Sequence, residues 1–179
     1  MFETAELDEK VSKADYRLLE PKLRSELVSA QNALAASPLS LVVLIGGVEG
    51  AGKTEFANRL LGWLDARGIE VYAGEGPTEE ERARPAFWRF WRLLPPKGKC
   101  AVLLTSWYTT PIIDRVFKRT KRGRFDRELA RITAFEKMLS SEGVVVVKLW
   151  MHLSKKNQKR RFKELEADPD TSWRVTARD

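Results

Sequence analysis

Two chemically versatile residue types are almost missing from this 179-residue chain, which has one cysteine, Cys100, and one histidine, His152. A single thiol excludes an internal disulfide and a four-thiolate metal site, and a single imidazole excludes a His/Cys zinc cluster or a His-pair metal centre. Ser-His-Asp hydrolysis would have to run through His152 alone. That residue sits at the end of an apolar run and reads as a packing or hydrogen-bonding side chain, while Cys100 reads as buried filler. Long hydrophobic runs are also missing. The longest, around Leu39–Ile45 and Val144–Val147, are too short to cross a bilayer. Residues 1–30 carry Glu3, Glu6, Asp8, Glu9, Lys10 and Lys13 where a secretory signal needs an apolar centre, so a cytoplasmic protein without a membrane partner is expected. Internal repeats, low-complexity tracts and a domain linker are absent as well.

Charge of one sign is in excess. There are 32 Lys and Arg against 25 Asp and Glu, a formal net charge of +7, in a chain that is 43% hydrophobic and 32% charged. That balance belongs to a globular domain and not to a disordered one, and its basic surplus points to a polyanionic partner. The length is ample for a hydrophobic core without covalent staples.

Periodicity organises the chain. From Tyr16 onward Leu19, Leu23, Leu27, Ala30 and Leu34 fall on one helical face, predicting an amphipathic helix packed against the main body and stopped by Ser37-Pro38. Leu41–Ile45 reads as a strand buried on both faces, which belongs in a parallel sheet. Further strands are expected at Ile69–Ala73, Ala101–Thr105 and Val144–Trp150, with helical sequence between them. Pro77-Thr78 followed by Glu79, Glu80 and Glu81 marks a helix start with acids in its first turn. Strands alternating with helices predict an α/β fold.

Between the first strand and the helix through Phe56, Leu60 and Leu64 lies Gly47-Val48-Glu49-Gly50-Ala51-Gly52-Lys53-Thr54, which satisfies G-x-x-x-x-G-K-[ST]. The glycines let the backbone curl until its N–H groups converge on a phosphate at a helix N-terminus. Gly47, Gly50, Ala51, Gly52, Lys53 and Thr54 are therefore the candidate phosphate-binding residues, with Lys53 reaching the outer phosphates and Thr54 offering its hydroxyl to Mg²⁺. A carboxylate at the end of a second core strand normally completes such a metal site. Leu103-Leu104-Thr105-Ser106 supplies none, which leaves Glu49 as the nearest substitute ligand or acceptor-orienting group, or simply a solvent-facing turn residue.

Beyond this loop the chain resembles the polyphosphate kinase 2 family, and most closely the N-terminal half of its double-domain polyphosphate:AMP phosphotransferases. The resemblance rests on segments in the family's order. They are the loop itself, Pro77-Thr78 with Glu81, Trp88-Arg89-Phe90-Trp91-Arg92-Leu93-Leu94-Pro95 with Gly98, and Ser106-Trp107-Tyr108. Then follow Asp114-Arg115-Val116, Phe135-Glu136-Lys137-Met138-Leu139, Ser154 through Gln158, Arg161 and Phe162, and Asp168-Pro169 with Trp173-Arg174. It implies a P-loop kinase-like three-layer sandwich, a parallel sheet with flanking helices, over residues 39–179, with residues 1–38 as a helical extension. It further implies Mg²⁺-assisted transfer of a terminal phosphoryl group between inorganic polyphosphate and a nucleoside phosphate such as AMP or ADP, with Lys53, Glu49 and Arg115 as catalytic residues, and a homo-oligomer.

The departures bear on activity. The family's Asp-Arg before Ser-Trp-Tyr is Leu104-Thr105 here, an arginine two residues after the tyrosine is Thr110, the loop aspartate is Glu49, and Thr54 replaces a common glycine. Since phosphoryl transfer depends on positioning and charge neutralisation, such losses favour an alternative in which this is a degenerate, non-catalytic phosphate-binding or structural half. The chain stops at Asp179, where the family is expected to continue into the rest of its lid and last helices. Two basic stretches can contact polyphosphate, one running from Arg115 to Arg124 with Lys118, Arg119, Lys121 and Arg122 as its contacts, and one, at the start of a lid helix, through Lys156, Arg160 and Arg161. A solvated helix face and a basic loop are the plain alternatives, and nucleic acid is the weaker partner because no base-reading element is recognisable. Trp88 and Trp91, three apart on a helix, are expected in the core rather than stacked on a nucleobase, and Trp107-Tyr108 either shape a pocket wall at a strand end or serve a purely structural role.

Overall fold

The computed structural model describes residues 10–74 and 76–175, so residues 1–9 of the expected extension lie outside the described residues. Helix α1 spans Lys13–Ala35, and the Ser12 side chain caps it by accepting from the Asp15 N–H. Strand β1 runs Ser40–Gly47 and leads into α2, Lys53–Trp63. Strand β2, Ile69–Tyr72, is followed by two single-turn helices, α3 at Glu79–Arg82 and α4 at Trp88–Trp91. Strand β3 is Cys100–Leu103, then come α5 at Thr109–Val116, α6 at Arg122–Ser141, β4 at Val144–Met151 and α7 at Lys155–Ala167.

The four strands are all parallel, in the order β2-β3-β1-β4, with Leu41 level with Cys100 and Val145 on its two neighbours. From β1 the chain leaves in one direction to build β2 and β3, and from β3 it crosses to the other side for β4. The carboxyl ends of β1 and β3 therefore part at a topological switch point, where α/β sheets place their ligands. Each face of the sheet is covered. Val43, Ile45 and Val102 pack with Ala57, Phe56 and Leu60 of α2, whereas Val42, Leu44 and Leu103 pack with Ile132, Phe135 and Leu139 of α6. This is the expected three-layer sandwich, and the period-four apolar face of α6 is what secures its far layer.

An aromatic cluster ties α4 to that layer. Phe87 stacks on Phe135 at 4.5 Å between centroids, and Trp107 meets Phe90 and Phe135 edge-on at 5.6 and 5.2 Å. Both helical tryptophans depart from the expectation that they belong to the core: Trp88 is half-buried, outside both apolar clusters, with the Arg84 and Arg92 guanidiniums 5.3 and 5.0 Å from its ring centroid. Only the edge of Trp91 reaches Phe135 while its ring is exposed, because Phe90 and the preceding Phe87 take the core-facing side of α4. Helix α1 is corrected as well. It has no buried residue, Leu18 is 78% exposed, and Leu19 and Leu23 are exposed, so the apolar stripe is engaged chiefly at its carboxyl half. There Leu34 joins the α2-side cluster, and the Gln31 amide exchanges hydrogen bonds of 2.9 and 2.8 Å with the Asp65 backbone. Strand β4 forms one edge of the sheet among the described residues, and Val145 and Val147, which alternate to the face opposite Val144 and Val146, join neither core cluster and stay exposed.

Cys100 opens β3 in the buried α2-side cluster, and burial pushes its thiol up to about 11 from 9.0. The unfolded chain ionises this thiol near its ordinary value. The contribution of Cys100 to stability is therefore intact below about pH 9 and is lost as the pH rises from there through 11, by about 3 kcal/mol at completion. Denaturant titrations across that range should show wild type losing stability more steeply than Cys100→Ala. Parallel curves would mean that the thiol titrates normally in the native state.

Candidate functional site

The loop after β1 turns on three glycines with positive φ, Gly47 at 148°, Gly50 at 76° and Gly52 at 88°, the last serving as the N-cap of α2. Gly47 lies against β4 so closely that an added Cβ would stand 2.2 Å from the Met151 carbonyl oxygen. Gly50 faces Phe162 of α7, and Gln158 of α7 donates a 3.0 Å hydrogen bond to the Glu49 carbonyl. The loop is thus held from behind by the edge strand and from above by α7.

Lys53, the first residue of α2, folds back over the loop with its side chain 19% exposed. Its ammonium donates to the carbonyls of Gly47 and Val48, each at 3.2 Å, and to Glu49 Oε1 at 3.0 Å. Two of these bonds order the loop. The third, to an exposed carboxylate, is one that an incoming phosphate oxygen can take over. Gly47, Glu49 and Lys53 border a cavity of about 560 Å³ whose other walls include Leu104, Thr105, Tyr108, Lys148 and Trp150.

At the end of β3, Leu104 fills the position where a metal-binding acid was sought, packing against the α2-side cluster and lining the cavity. Thr105 donates its hydroxyl to the Gly74 carbonyl at 2.5 Å. Trp107 turns inward and is 3% exposed, so the expected pocket-wall pair divides, Tyr108 lining this cavity and Trp107 bordering the one on the other side. A second cavity of about 740 Å³ opens on the other side of Thr105 and Ser106, which both cavities share. Its wall carries five arginines, Arg82, Arg84, Arg89, Arg124 and Arg131. Arg89 is set by a 3.5 Å ion pair with Glu81, whose other duty is the capping box of α3 with Thr78.

The predicted basic residues are distributed unevenly. Arg161 reaches Glu55 at the start of α2 at 3.9 Å and lies beside Gly50. Lys156 and Arg160 are exposed on α7, with Arg160 paired to Glu164 at 3.8 Å. Arg115 is exposed on α5 and borders neither cavity, nor do Lys118, Arg119, Lys121 and Arg122. Arg119 turns to Asp114 at 3.8 Å and Arg122 to Asp126 at 3.9 Å. His152 is partly buried after β4 and borders neither cavity. Sequence reading missed Arg82, Arg84, Arg89, Arg131 and Lys148 as site residues. Lys148 did have a signal, a lone charge inside Val144–Met151.

For Mg²⁺ the chain offers the Thr54 hydroxyl and the Glu49 carboxylate, and no group of three or more His, Cys, Asp or Glu able to hold a metal occurs among the described residues. This donor set fits an ion that arrives on phosphate oxygens and keeps several waters. It does not make a cage for a resident ion.

A family model described as Polyphosphate kinase 2 (PPK2) matches residues 10–179. Along its whole length the chain is 41% identical to a polyphosphate:AMP phosphotransferase of Pseudomonas aeruginosa, of which it spans 36%. It is 30% identical over 172 residues to a GDP-polyphosphate phosphotransferase of Mycolicibacterium smegmatis, with 96% of this chain and 61% of that protein covered. Among solved structures, polyphosphate kinase 2 from Arthrobacter aurescens superposes with a TM-score of 0.86 at 28% identity over 93% of this chain and 61% of that one. A polyphosphate kinase 2 homologue from Pseudomonas aeruginosa matches with the same score at 40% identity, over 90% of this chain and 36% of that one.

Proposed function

This chain belongs to the polyphosphate kinase 2 family, and from that membership we propose that it is a polyphosphate-dependent nucleotide phosphotransferase domain. The observation that carries the reading is the pair of adjoining cavities, one bordered by Lys53 and the glycine loop, the other by five arginines, meeting at Thr105-Ser106. A phosphoryl group in transfer needs a donor and an acceptor approaching one point from opposite sides, each with its charge offset. The glycine loop and Lys53 hold the phosphates on one side, and the arginine wall holds the acidic partner on the other. Arg161 and the rest of the basic α7 face guide the phosphate chain towards the loop. Mg²⁺ brought in with the phosphates, with Thr54 and Glu49 as protein ligands, supplies charge neutralisation.

Leu104 favours a second reading. Its apolar side chain forms cavity wall where the family pattern has an acid, which suits a domain that binds phosphate chains and supports a partner half without turnover.

Incubation of the chain with polyphosphate, Mg²⁺ and AMP, ADP or GDP separates these readings. Formation of the next higher nucleotide supports the phosphotransferase. Salt-sensitive polyphosphate binding with no product supports the supporting half. Preference for DNA or RNA over polyphosphate at matched charge would discard both.

A further inference from the structure

We propose that Lys148 is a second phosphate-contacting cation of the loop cavity, held towards polyphosphate by a buried Trp107–Glu136 brace; the inference rests on the phosphate-chain reading above. Lys148 interrupts the apolar run of β4 at the level of Leu44, three residues before β1 reaches the glycine loop. Val144 and Val146, which precede it on the same face of the strand, pack into the α6-side core. Lys148 continues that row where the core gives way to the cavity, and it borders the cavity together with Lys53.

The surroundings show what holds it. Trp107, buried under the aromatic cluster, donates its indole N–H to Glu136 Oε1 at 3.0 Å. The other oxygen of Glu136 accepts from the Lys148 ammonium at 2.8 Å, and the same ammonium donates to the Tyr108 hydroxyl at 3.2 Å. Glu136 is 15% exposed and Lys148 52%, so the carboxylate is an interior anchor and the ammonium its cavity-facing end. An ammonium has three donors, and the described residues take two. The hydrogen bond to Glu136 raises the Lys148 pKa above its ordinary value, which keeps the cation charged throughout the physiological range.

The donors on this wall point the same way. Leu104 and Thr105 stand where the family pattern places Asp-Arg, so this wall lacks one arginine as a donor to phosphate. Lys148 is the other lysine beside Lys53 on the cavity wall, and it is positioned to offset part of that loss. A purely structural ion pair would need Lys148 only to neutralise Glu136. A phosphate contact needs the third donor as well.

Binding of long-chain polyphosphate to the full chain, titrated at several salt concentrations, tests this. Lys148→Met should weaken binding about tenfold or more, as expected for a lost hydrogen bond to a charged group. It should also make log K against log salt shallower by about 0.7, one phosphate contact of a flexible polyanion. Lys148→Arg should keep most of the affinity and the wild-type slope. Lys148→Met combined with Glu136→Gln should stay weak and shallow, since neutralising the carboxylate does not replace the donor. Wild-type affinity and slope in Lys148→Met, or recovery of both in the double variant, would overturn the proposal while the phosphate-chain reading stands. Wild type that fails to bind polyphosphate would overturn that reading and this inference with it.

Discussion

Lys53→Ala is expected to abolish phosphate-chain capture, weakening polyphosphate binding at least about a hundredfold and removing any turnover that depends on it. The reason is geometric as much as electrostatic. The ammonium holds the carbonyls of Gly47 and Val48, which order the loop, and its bond to Glu49 occupies the position that a phosphate oxygen would take. Deletion therefore removes a charge-assisted bond to the ligand and also frees the two carbonyls that shape the loop. Lys53→Arg should recover little, because a planar fork cannot reproduce three donors radiating from one nitrogen. Titration calorimetry with polyphosphate checks this, with thermal unfolding as the control for folding. Retention of binding in Lys53→Ala within threefold of wild type would remove the loop from the site.

Gly47→Ala should be the most damaging single-methyl addition at the site. Gly47 has a φ of 148°, a conformation that costs a side-chain-bearing residue about 1 to 3 kcal/mol, and the new Cβ would meet the Met151 carbonyl oxygen at 2.2 Å. That oxygen is backbone and already accepts from the Val48 N–H at 3.1 Å, so it cannot swing aside without breaking the bond that starts the loop. Either β1 separates from β4 at its end or the loop is rebuilt, and the total loss of stability should reach about 3 kcal/mol or more. Gly62→Ala, at a helical position with open space around the added methyl, is the matched control and should be neutral or stabilising. Equal unfolding midpoints for the two variants would show that the β1–β4 contact yields easily.

Legibility followed the range of the interactions involved. Leu41–Ile45, Gly47–Thr54 and the helix carrying Phe56 and Leu60 could be read from local pattern, because strand burial, glycine conformation and helical period are each written within about ten residues. The capping box at Thr78 and Glu81 was half legible. The acids announced a helix start, whereas the grip of Glu81 on Arg89 needed α4 folded beside α3. The tryptophans were misjudged where the outcome depended on a neighbour. Trp107 and Tyr108 are adjacent in sequence yet border different cavities, Trp107 from within the aromatic core, and Trp91 is exposed because Phe87 and Phe90 take the core side of α4.

By itself the sequence determined the parallel α/β class, the glycine-rich loop with Lys53, the absence of the family's acid at Leu104, and, through ordered motifs, the family. All of these are encoded by residues close together along the chain or by identity at single positions. Only the tertiary structure decided which cations border the two cavities. Of the basic run Arg115, Lys118, Arg119, Lys121, Arg122 and Arg124, Arg124 borders a cavity and the others border neither, while Arg82, Arg89 and Arg131, scattered along the chain, converge with it on one cavity and Lys148 on the other. A charge acts over a few ångströms of space, and only chain folding turns distance along the sequence into distance through space.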